Sequence, residues 1–376
     1  MMRCIILALS CCTLNCRDAV SPPSDPPVPP PDKSVWQVVP EFENYDIRYI
    51  IEFKDELYCA VMIVPSSAEA RSAVVKTSDG ETWTTVRRFS EAIGPMAVNG
   101  DSLYVLTDHF VHRMDAQGEW VQRFGVPWQI SDAQLNGDMA FLNGNLYIAQ
   151  TRMTGYLFMV TPDSIWTQLF PYGFEISPSI ARIVPFRNGN SDAAYCRSIF
   201  SSNSVISIFD GKTLTDISTK PSKDAFGNNA ITMYNNTLYA GYHDRVNNKS
   251  GAVYQLTNDM KWLLYHDSLP NAPFANDYDT PMVTHPISIL FLDNRMIVGT
   301  ESYGVFIVND TLGWISLNSG LKMHPVKTAN GQLYEAIVFL NAYKKYLFAA
   351  YGYPAFSWGL ISSTTRFGLR RTVLVD

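Results

Sequence analysis

Residues 77–83 read TSDGETW and lie between two short apolar runs, AVV and WTTV, the second of which begins with Trp83. An aspartate at such a turn can accept hydrogen bonds from backbone N–H groups that no strand partner satisfies. A tryptophan at the start of the next strand can pack a large apolar face between neighbouring sheets. The stretch therefore predicts a turn between two strands, with a structural rather than a reactive role.

Looser copies of this turn recur along the chain, and each follows a short run of strand-forming residues. The paired residues are Asp79 and Trp83, Asp115 and Trp120, Asp163 and Trp166, Asp259 and Trp262, and Asp310 and Trp314. We interpret these pairs as one structural corner repeated in successive units of the chain.

A second pattern has a similar period of 43 to 58 residues. Seven short apolar segments, each preceded by another strand and a tight polar turn, align on Tyr58, Tyr104, Tyr147, Tyr195, Tyr239, Ile297 and Phe348. In most units a third strand, the Asp-bearing turn and a fourth strand follow. The sequence thus predicts an all-β fold over residues 34–376, a seven-bladed β-propeller of four-stranded antiparallel blades.

Two segments are candidates for the strand that closes the ring of blades. SVWQVVP at 34–40 precedes the first unit, and LRRTVLV at 369–375 ends the last one. Either can serve as the outermost strand of the last blade, and the sequence does not choose between them.

The stretch TSDGETW resembles the Asp-box, or BNR repeat, of sialidase-like propellers, with a spacing one residue shorter than the commonest form. The resemblance covers residues 34–376 and implies a fold more than a function. Sialidases also use three arginines, a tyrosine activated by a glutamate, and an acidic proton donor. ARIVP at 181–185 is the nearest approach to their early arginine motif. The arginine triad has no matching positions, so we assign no catalytic residue.

The first 16 residues, MMRCIILALSCCTLNC, indicate an export signal that resembles a bacterial lipoprotein signal. Cys11 or Cys12 would then carry the lipid, and a plain secretory signal is the alternative. Residues 17–33 contain SPPSDPPVPPPDK, which favours an extended polyproline II tether. We expect a protein that is secreted or anchored in the cell envelope or outer membrane.

Charge and motifs exclude several other functions. The net charge is −6 and no long basic run occurs, so we expect no nucleic-acid partner. The chain has no His-x-His, H-E-x-x-H, G-x-S-x-G or P-loop motif, so we expect neither a metal nor a cofactor.

In a propeller, the connections between second and third strands share one rim with the connections between blades. The long aromatic loops of this chain fall there, and their candidate ligand residues are Trp128, Arg152, Tyr242, His243, Arg245, Tyr278, Tyr303, Tyr351 and Tyr353. Aromatic planes beside polar groups suit sugar rings or peptides. We expect a monomeric, non-catalytic module that binds a glycan or protein at the cell surface. The alternatives are a polysaccharide-active enzyme, a glycosidase or lyase, and a structural partner in an envelope assembly.

Overall fold

Short antiparallel strands joined by tight turns make up nearly all of the structure. The computed structural model describes residues 35–43, 45–63, 70–126, 137–150, 156–169, 180–188, 191–198, 206–209, 214–217, 226–244, 249–270, 284–301, 303–309, 311–321, 325–328, 331–334, 336–352 and 368–373. They begin with the two-residue strand β1 (Gln37–Val38) and a 3₁₀ turn at Pro40–Phe42.

Five four-stranded antiparallel sheets come next, each with its strands in sequence order. Their strands are β2 (Tyr45–Phe53), β3 (Glu56–Ile63), β4 (Ser72–Thr77) and β5 (Thr84–Phe89); β6 (Ile93–Asn99), β7 (Ser102–Thr107), β8 (Phe110–Met114) and β9 (Trp120–Gly125); β10 (Gly137–Leu142), β11 (Asn145–Gln150), β12 (Tyr156–Val160) and β13 (Trp166–Gln168); β14 (Ile180–Asn188), β15 (Ser191–Ser198), β16 (Ile206–Phe209) and β17 (Leu214–Asp216); β18 (Phe226–Tyr234), β19 (Thr237–Asp244), β20 (Lys249–Leu256) and β21 (Trp262–His266).

The last part of the chain forms an eight-stranded sheet and a separate two-stranded ribbon. The strands are β22 (His285–Leu292), β23 (Arg295–Glu301), β24 (Val305–Asn309), β25 (Gly313–Ser316), the ribbon strands β26 (Pro325–Thr328) and β27 (Gly331–Tyr334), and β28 (Ala336–Tyr343), β29 (Tyr346–Gly352) and β30 (Gly368–Val373). Only the pair Glu301 and Ala336 joins β23 to β28 among the described residues. The large sheet is therefore two four-stranded units, β22–β25 and β28–β30 with β1.

These units are arranged in a ring. The first strands β2, β6, β10, β14, β18, β22 and β28 each contact the next, and β28 contacts β2. The described first strands thus follow one another in a closed circle, which confirms the predicted β-propeller. The seven segments aligned from the sequence are the second strands of the units, from β3 to β29.

Both candidate closing segments are used, in different positions. LRRTVLV contributes β30, the third strand of the last unit, and β1 pairs with it through Gln37–Arg371 and Val38–Arg370. The N-terminal segment is therefore the outermost strand. Its flanks are fixed as well: Trp36 N donates to Ser319 O at 2.9 Å and Val39 N to Leu369 O at 3.0 Å.

The apolar core lies between neighbouring sheets rather than at one centre. Val74 of the first unit packs in one buried cluster with Met96 and Leu103 of the second, and the other units show the same arrangement. A single four-stranded sheet has two apolar faces, so only stacking around a ring covers both.

The hairpins between first and second strands have the chemistry of two-residue type I′ turns. Such turns need positive φ at both central residues, which Asn, Asp and Gly tolerate best. Both residues have positive φ at 54–55, 143–144, 235–236 and 293–294. The polar pairs seen in the sequence therefore fix strand register in four of the units.

Residues 1–34 lie outside the described part of the chain, so the export signal and tether remain predictions. Residues 33–376 form one compact unit. Within the described ranges, no helix is both long enough and apolar enough to cross a bilayer.

Candidate binding rim and central channel

The topology gives the ring two different rims. We call the turn rim the one that carries the connections inside hairpins, such as 54–55 and 78–83. The loop rim carries the connections between second and third strands and between units, including 126–136, 267–284 and 353–367. The turn-rim connections are all short, whereas the loop rim holds every long connection.

The ribbon β26–β27 also belongs to a loop-rim connection, because it lies between the end of β25 and the start of β28. The sequence patterns described above did not predict it. The signal was present as Asn330-Gly331, a hairpin pair between the strand-forming stretches PVKT and QLY. A structured insertion at this rim adds to the surface available to a ligand.

Tyr303 is the predicted rim residue whose setting is best defined. It is half-buried in the turn between β23 and β24, and its ring packs on Phe306 with centroids 5.2 Å apart. Asn318 fixes this turn: its Nδ2 donates to Tyr303 O at 2.7 Å, and its Oδ1 accepts from Val305 N at 2.7 Å. Thr300 Oγ1 donates to Gly304 O at 2.8 Å. The Tyr303 side chain therefore extends from a turn that is held by hydrogen bonds.

Two predicted rim residues are instead core residues. Tyr242 is 2% exposed and packs against Tyr254 and Trp262, and Tyr351 is 3% exposed in the core between the last two units. Neither ring has a free face for a ligand, because the neighbouring strands cover both. His243 lies in β19, but its side chain is outside the description. Five further candidates lie wholly outside the described residues: Trp128, Arg152, Arg245, Tyr278 and Tyr353.

Beta-bulges mark the ends of the first strands that lie nearest the loop rim. Six of the seven first strands have a register shift there, for example between Ile47 and Tyr49 in β2 and between Ile337 and Phe339 in β28. A bulge redirects side chains and bends its strand. The repeated bulges therefore shape the channel mouth on the loop-rim side.

Asp138 of β10 connects three units at this mouth. It is 1% exposed, and its carboxylate accepts from Tyr49 Oη at 2.7 Å, from Met139 N at 2.9 Å and from Ile183 N at 2.9 Å. Tyr49 belongs to the first unit and Ile183 to the fourth. A buried carboxylate is tolerated when donors satisfy it, and this one is tied to partners around the ring.

Asp46 is the second buried carboxylate in this region. Burial raises its pKa, and the neighbouring Arg48 guanidinium, 2.6 Å away, opposes that shift. Both Asp46 and Asp138 thus have partners that hold them. Within the described ranges, no three His, Cys, Asp or Glu side chains lie together as a metal site would require.

On the turn rim, the stretch at residues 77–83 forms a hydrogen-bonded clasp. Asp79 Oδ1 accepts from Thr82 N at 2.8 Å, from Glu81 N at 2.7 Å and from Thr77 Oγ1 at 2.9 Å. The two backbone N–H donors contribute most to lowering the pKa of Asp79 to about 2. Gly80 N donates to Thr77 Oγ1 at 2.9 Å, which completes the turn.

This clasp lies at the seam where the ring closes. From the last unit, Arg371 Nη1 donates to Gly80 O at 2.6 Å and Tyr346 Oη to Glu81 Oε1 at 2.5 Å. Trp83 packs edge-on against Phe42 at 4.7 Å and Phe348 at 6.0 Å. The best-preserved copy of the repeat thus joins the first unit to the last.

In the other described copies the acceptor occupies a different position relative to the tryptophan. It stands five residues before the tryptophan, rather than four, and its side-chain oxygen accepts backbone N–H groups at 2.9 to 3.2 Å. These acceptors are Asp115, Thr161, Thr257 and Asn309. In three units they differ from the residues aligned by sequence: Asp163 is exposed, Asp259 pairs with Lys261 at 2.7 Å, and Asp310 lies outside the described residues.

The tryptophans share one role. Trp120 packs against Phe89 of the preceding unit at 6.0 Å, and Trp314 Nε1 donates to Asp267 O of the preceding unit at 2.6 Å. Trp166 and Trp262 belong to clusters that include residues of the unit before them. The corner thus fastens each of these units to its predecessor.

Comparisons with known proteins give the class of fold. No protein-family model matches this chain, and no curated protein matches it. Solved structures of β-propellers do match this chain. YCF48 from Cyanidioschyzon merolae shares 13% identity over 90% of this chain and 98% of its own, with a TM-score of 0.55. A structure of YCF48 bound to a D1 peptide gives 11% identity over 91% of this chain and 97% of its own, with a TM-score of 0.53.

The extracellular domain of BT4673 from B. thetaiotaomicron gives 11% identity and a TM-score of 0.52, over 87% of this chain and 38% of that one. At these identities the likeness establishes the architecture alone. The chain is a β-propeller.

Proposed function

We propose that this protein is a non-catalytic binding module that recognises a glycan or a protein through its loop rim. The observation that carries the proposal is the asymmetry between the rims. Every long connection and the β26–β27 ribbon leave strand ends on one side, while hairpin turns close the other. Loops on a rigid scaffold are where binding residues concentrate.

Tyr303 supplies a point of contact on this rim. Its turn is fixed by Asn318 and Thr300, so little conformational entropy is lost when a ligand stacks on the ring. A fixed aromatic face suits a sugar ring or an extended peptide. YCF48 in complex with a D1 peptide is an example of a propeller with a peptide ligand.

A polysaccharide-active enzyme is the alternative, and it needs carboxylates free to act on substrate. The buried carboxylates at the channel mouth, Asp46 and Asp138, already have strong partners. This favours binding over catalysis. We also propose that the repeat is a diverged Asp-box, because the clasp around Asp79 satisfies backbone N–H groups of its own turn.

We propose further that the propeller is exported and displayed at the cell envelope by a lipid on Cys11 or Cys12, with residues 17–33 as the tether. Seven prolines within residues 21–33 support an extended spacer. Metabolic labelling with a fatty acid tests this directly: label should be lost from either the Cys11→Ser or the Cys12→Ser variant.

The test of recognition uses a glycan array and an array of extended peptides. We expect wild type to bind a discrete set on one array, the Tyr303→Ala variant to lose at least tenfold in signal, and Leu312→Ala to match wild type. Leu312 is an exposed apolar residue on the turn rim, so it is the matched control. No binding on either array, or equal loss in both variants, contradicts the proposal.

A further inference from the structure

The outermost strand of each propeller unit leaves one edge of backbone N–H and C=O groups without a strand partner. Natural proteins protect such edges with charged side chains. The first two units follow this rule: β5 carries Arg87 and Arg88, and β9 carries Gln122 and Arg123, all exposed. Arg87 and Arg123 also lie over Phe89 and Phe124, at 5.8 and 5.4 Å from the ring centroids.

The fifth unit departs from the rule. Its outermost strand β21 reads WLLYH, and Leu263, Leu264 and Tyr265 are 51%, 51% and 37% exposed. Among the described outermost strands, it is the one with three consecutive exposed apolar residues. Where the equivalent positions of β9 carry Gln122 and Arg123, β21 carries Leu264 and Tyr265.

The inner side of this strand is fixed. Trp262 is buried against the fourth unit, and the ring of Tyr265 packs on Tyr239 at 5.1 Å. Tyr265 is the extra residue of a bulge against Val253 and Tyr254. The bulge adds twist to the second half of the strand, and Leu263 and Leu264 at its start are half-exposed at the sheet edge.

We propose that β21 is a self-association edge, where two copies of this chain pair their fifth units antiparallel about a twofold axis. The charges at the strand ends favour a second copy of this chain as the binding partner. Exposed Lys261, which also pairs with exposed Asp259 of its own turn at 2.7 Å, precedes the apolar residues, and exposed Asp267 follows them. In an antiparallel pair of identical strands, Lys261 of each copy approaches Asp267 of the other, and the leucines meet between them.

Such a contact is small. A strand of five residues a side buries less than a standard interface of roughly 1,600 Å², so we expect a dissociation constant on the order of 10–100 µM. The dimer should therefore depend on concentration. High local density on a surface would favour it without any change in affinity. The proposal departs from the monomer expected from the sequence, and it does not depend on the ligand of the loop rim.

Sedimentation velocity of the full chain over a series of concentrations tests the proposal. Wild type should shift from monomer to dimer, and Leu264→Lys should remain monomeric at every concentration. Val121→Lys is the matched control, because Val121 is an exposed apolar residue on β9, the edge of the second unit. It should dimerise as wild type does. Far-UV spectra and thermal midpoints must show that both variants are folded.

A charge exchange checks the antiparallel arrangement independently. Lys261→Asp should weaken the dimer at least tenfold, and adding Asp267→Lys in the same chain should restore it. A monomeric wild type at several hundred micromolar, a dimer that survives in Leu264→Lys, or equal loss in Val121→Lys would each overturn the proposal. A partner protein that binds β21 while the chain itself stays monomeric would overturn the choice of occupant as well.

Discussion

Side-chain oxygens hold the turns at five described corners of this propeller. Asp79, Asp115, Thr161, Thr257 and Asn309 all accept backbone N–H groups of the turn that follows a third strand. Carboxylate, hydroxyl and amide oxygens do the same work, because the turn needs only an acceptor at the right distance. This is why a search for aspartate alone misplaces the corner in the third, fifth and sixth units.

The Asp79→Asn variant isolates the charge of the clasp. Asn309 shows that an amide oxygen can accept two backbone N–H groups at 2.9 Å, so geometry should be kept. The pKa of Asp79 is lowered to about 2 from 3.8, so its ionised form stabilises the fold at pH values above 3.8. That contribution is lost as pH falls through about 2.

We therefore expect the thermal midpoint of Asp79→Asn to lie below that of wild type at neutral pH, and the difference to shrink towards zero near pH 2. Differential scanning calorimetry across this range measures it. A difference that is constant with pH would show that the charge plays no part.

Gly80 combines a left-handed backbone with a close neighbour. Its φ is +79°, and a β-carbon there would lie 2.6 Å from Tyr346 Cδ2. Gly118 has φ +84° and nothing within 4 Å of the same position. Gly118→Ala should cost about 1–2 kcal/mol for the backbone alone, and Gly80→Ala a further 1–3 kcal/mol or so for overpacking the seam. Urea unfolding of the two variants checks this, and equal losses would mean that Tyr346 yields freely.

At the level of elements, strands and hairpins follow from local sequence. Residue pairs that tolerate positive φ set the type I′ turns, and alternating apolar runs give the second and third strands. The sequence therefore predicted the repeat, the strand order within units and the ring. It could not choose the closing strand, since SVWQVVP and LRRTVLV are both short strand-forming segments. The choice depends on contacts with Ser319 and Leu369, which are distant in the chain.

Truncation tests the closing element. Removing residues 1–33 should leave the unfolding midpoint unchanged, because we propose that this segment is an export signal followed by an extended tether. Removing residues 1–39 deletes β1 with the buried Trp36 and Val39. We expect the second truncation to lose on the order of 3–5 kcal/mol or more and to aggregate through the exposed edge of β30. Equal midpoints for the two truncations would mean that β1 does not hold the ring closed.

For the whole molecule, the ring is held at the seam and across the channel. The seam joins the first and last units through Gly80, Glu81, Tyr346 and Arg371. The channel link runs from Tyr49 to Asp138 and on to Ile183. Because these contacts join units far apart in sequence, the units should unfold together rather than one at a time.

A double-mutant cycle on Tyr49→Phe and Asp138→Asn measures the link across the channel. Each single variant should lose about 1–3 kcal/mol, because each weakens a hydrogen bond made to a charged, buried carboxylate. The double variant should lose less than the sum, with a coupling energy of about 0.5–3 kcal/mol. Additive losses in equilibrium unfolding would show that the two side chains act separately.

By itself, the sequence determined the repeat, the all-β class and the division into short and long connections. These depend on local propensity and on periodic apolar residues, which each segment carries within itself. Only the tertiary structure decided which strand closes the ring, that Tyr242 and Tyr351 belong to the core while Tyr303 lies on the rim, and that β21 exposes Leu263 and Leu264 at a sheet edge. Those outcomes depend on which distant residues cover a side chain, and a linear pattern of hydrophobicity does not record that.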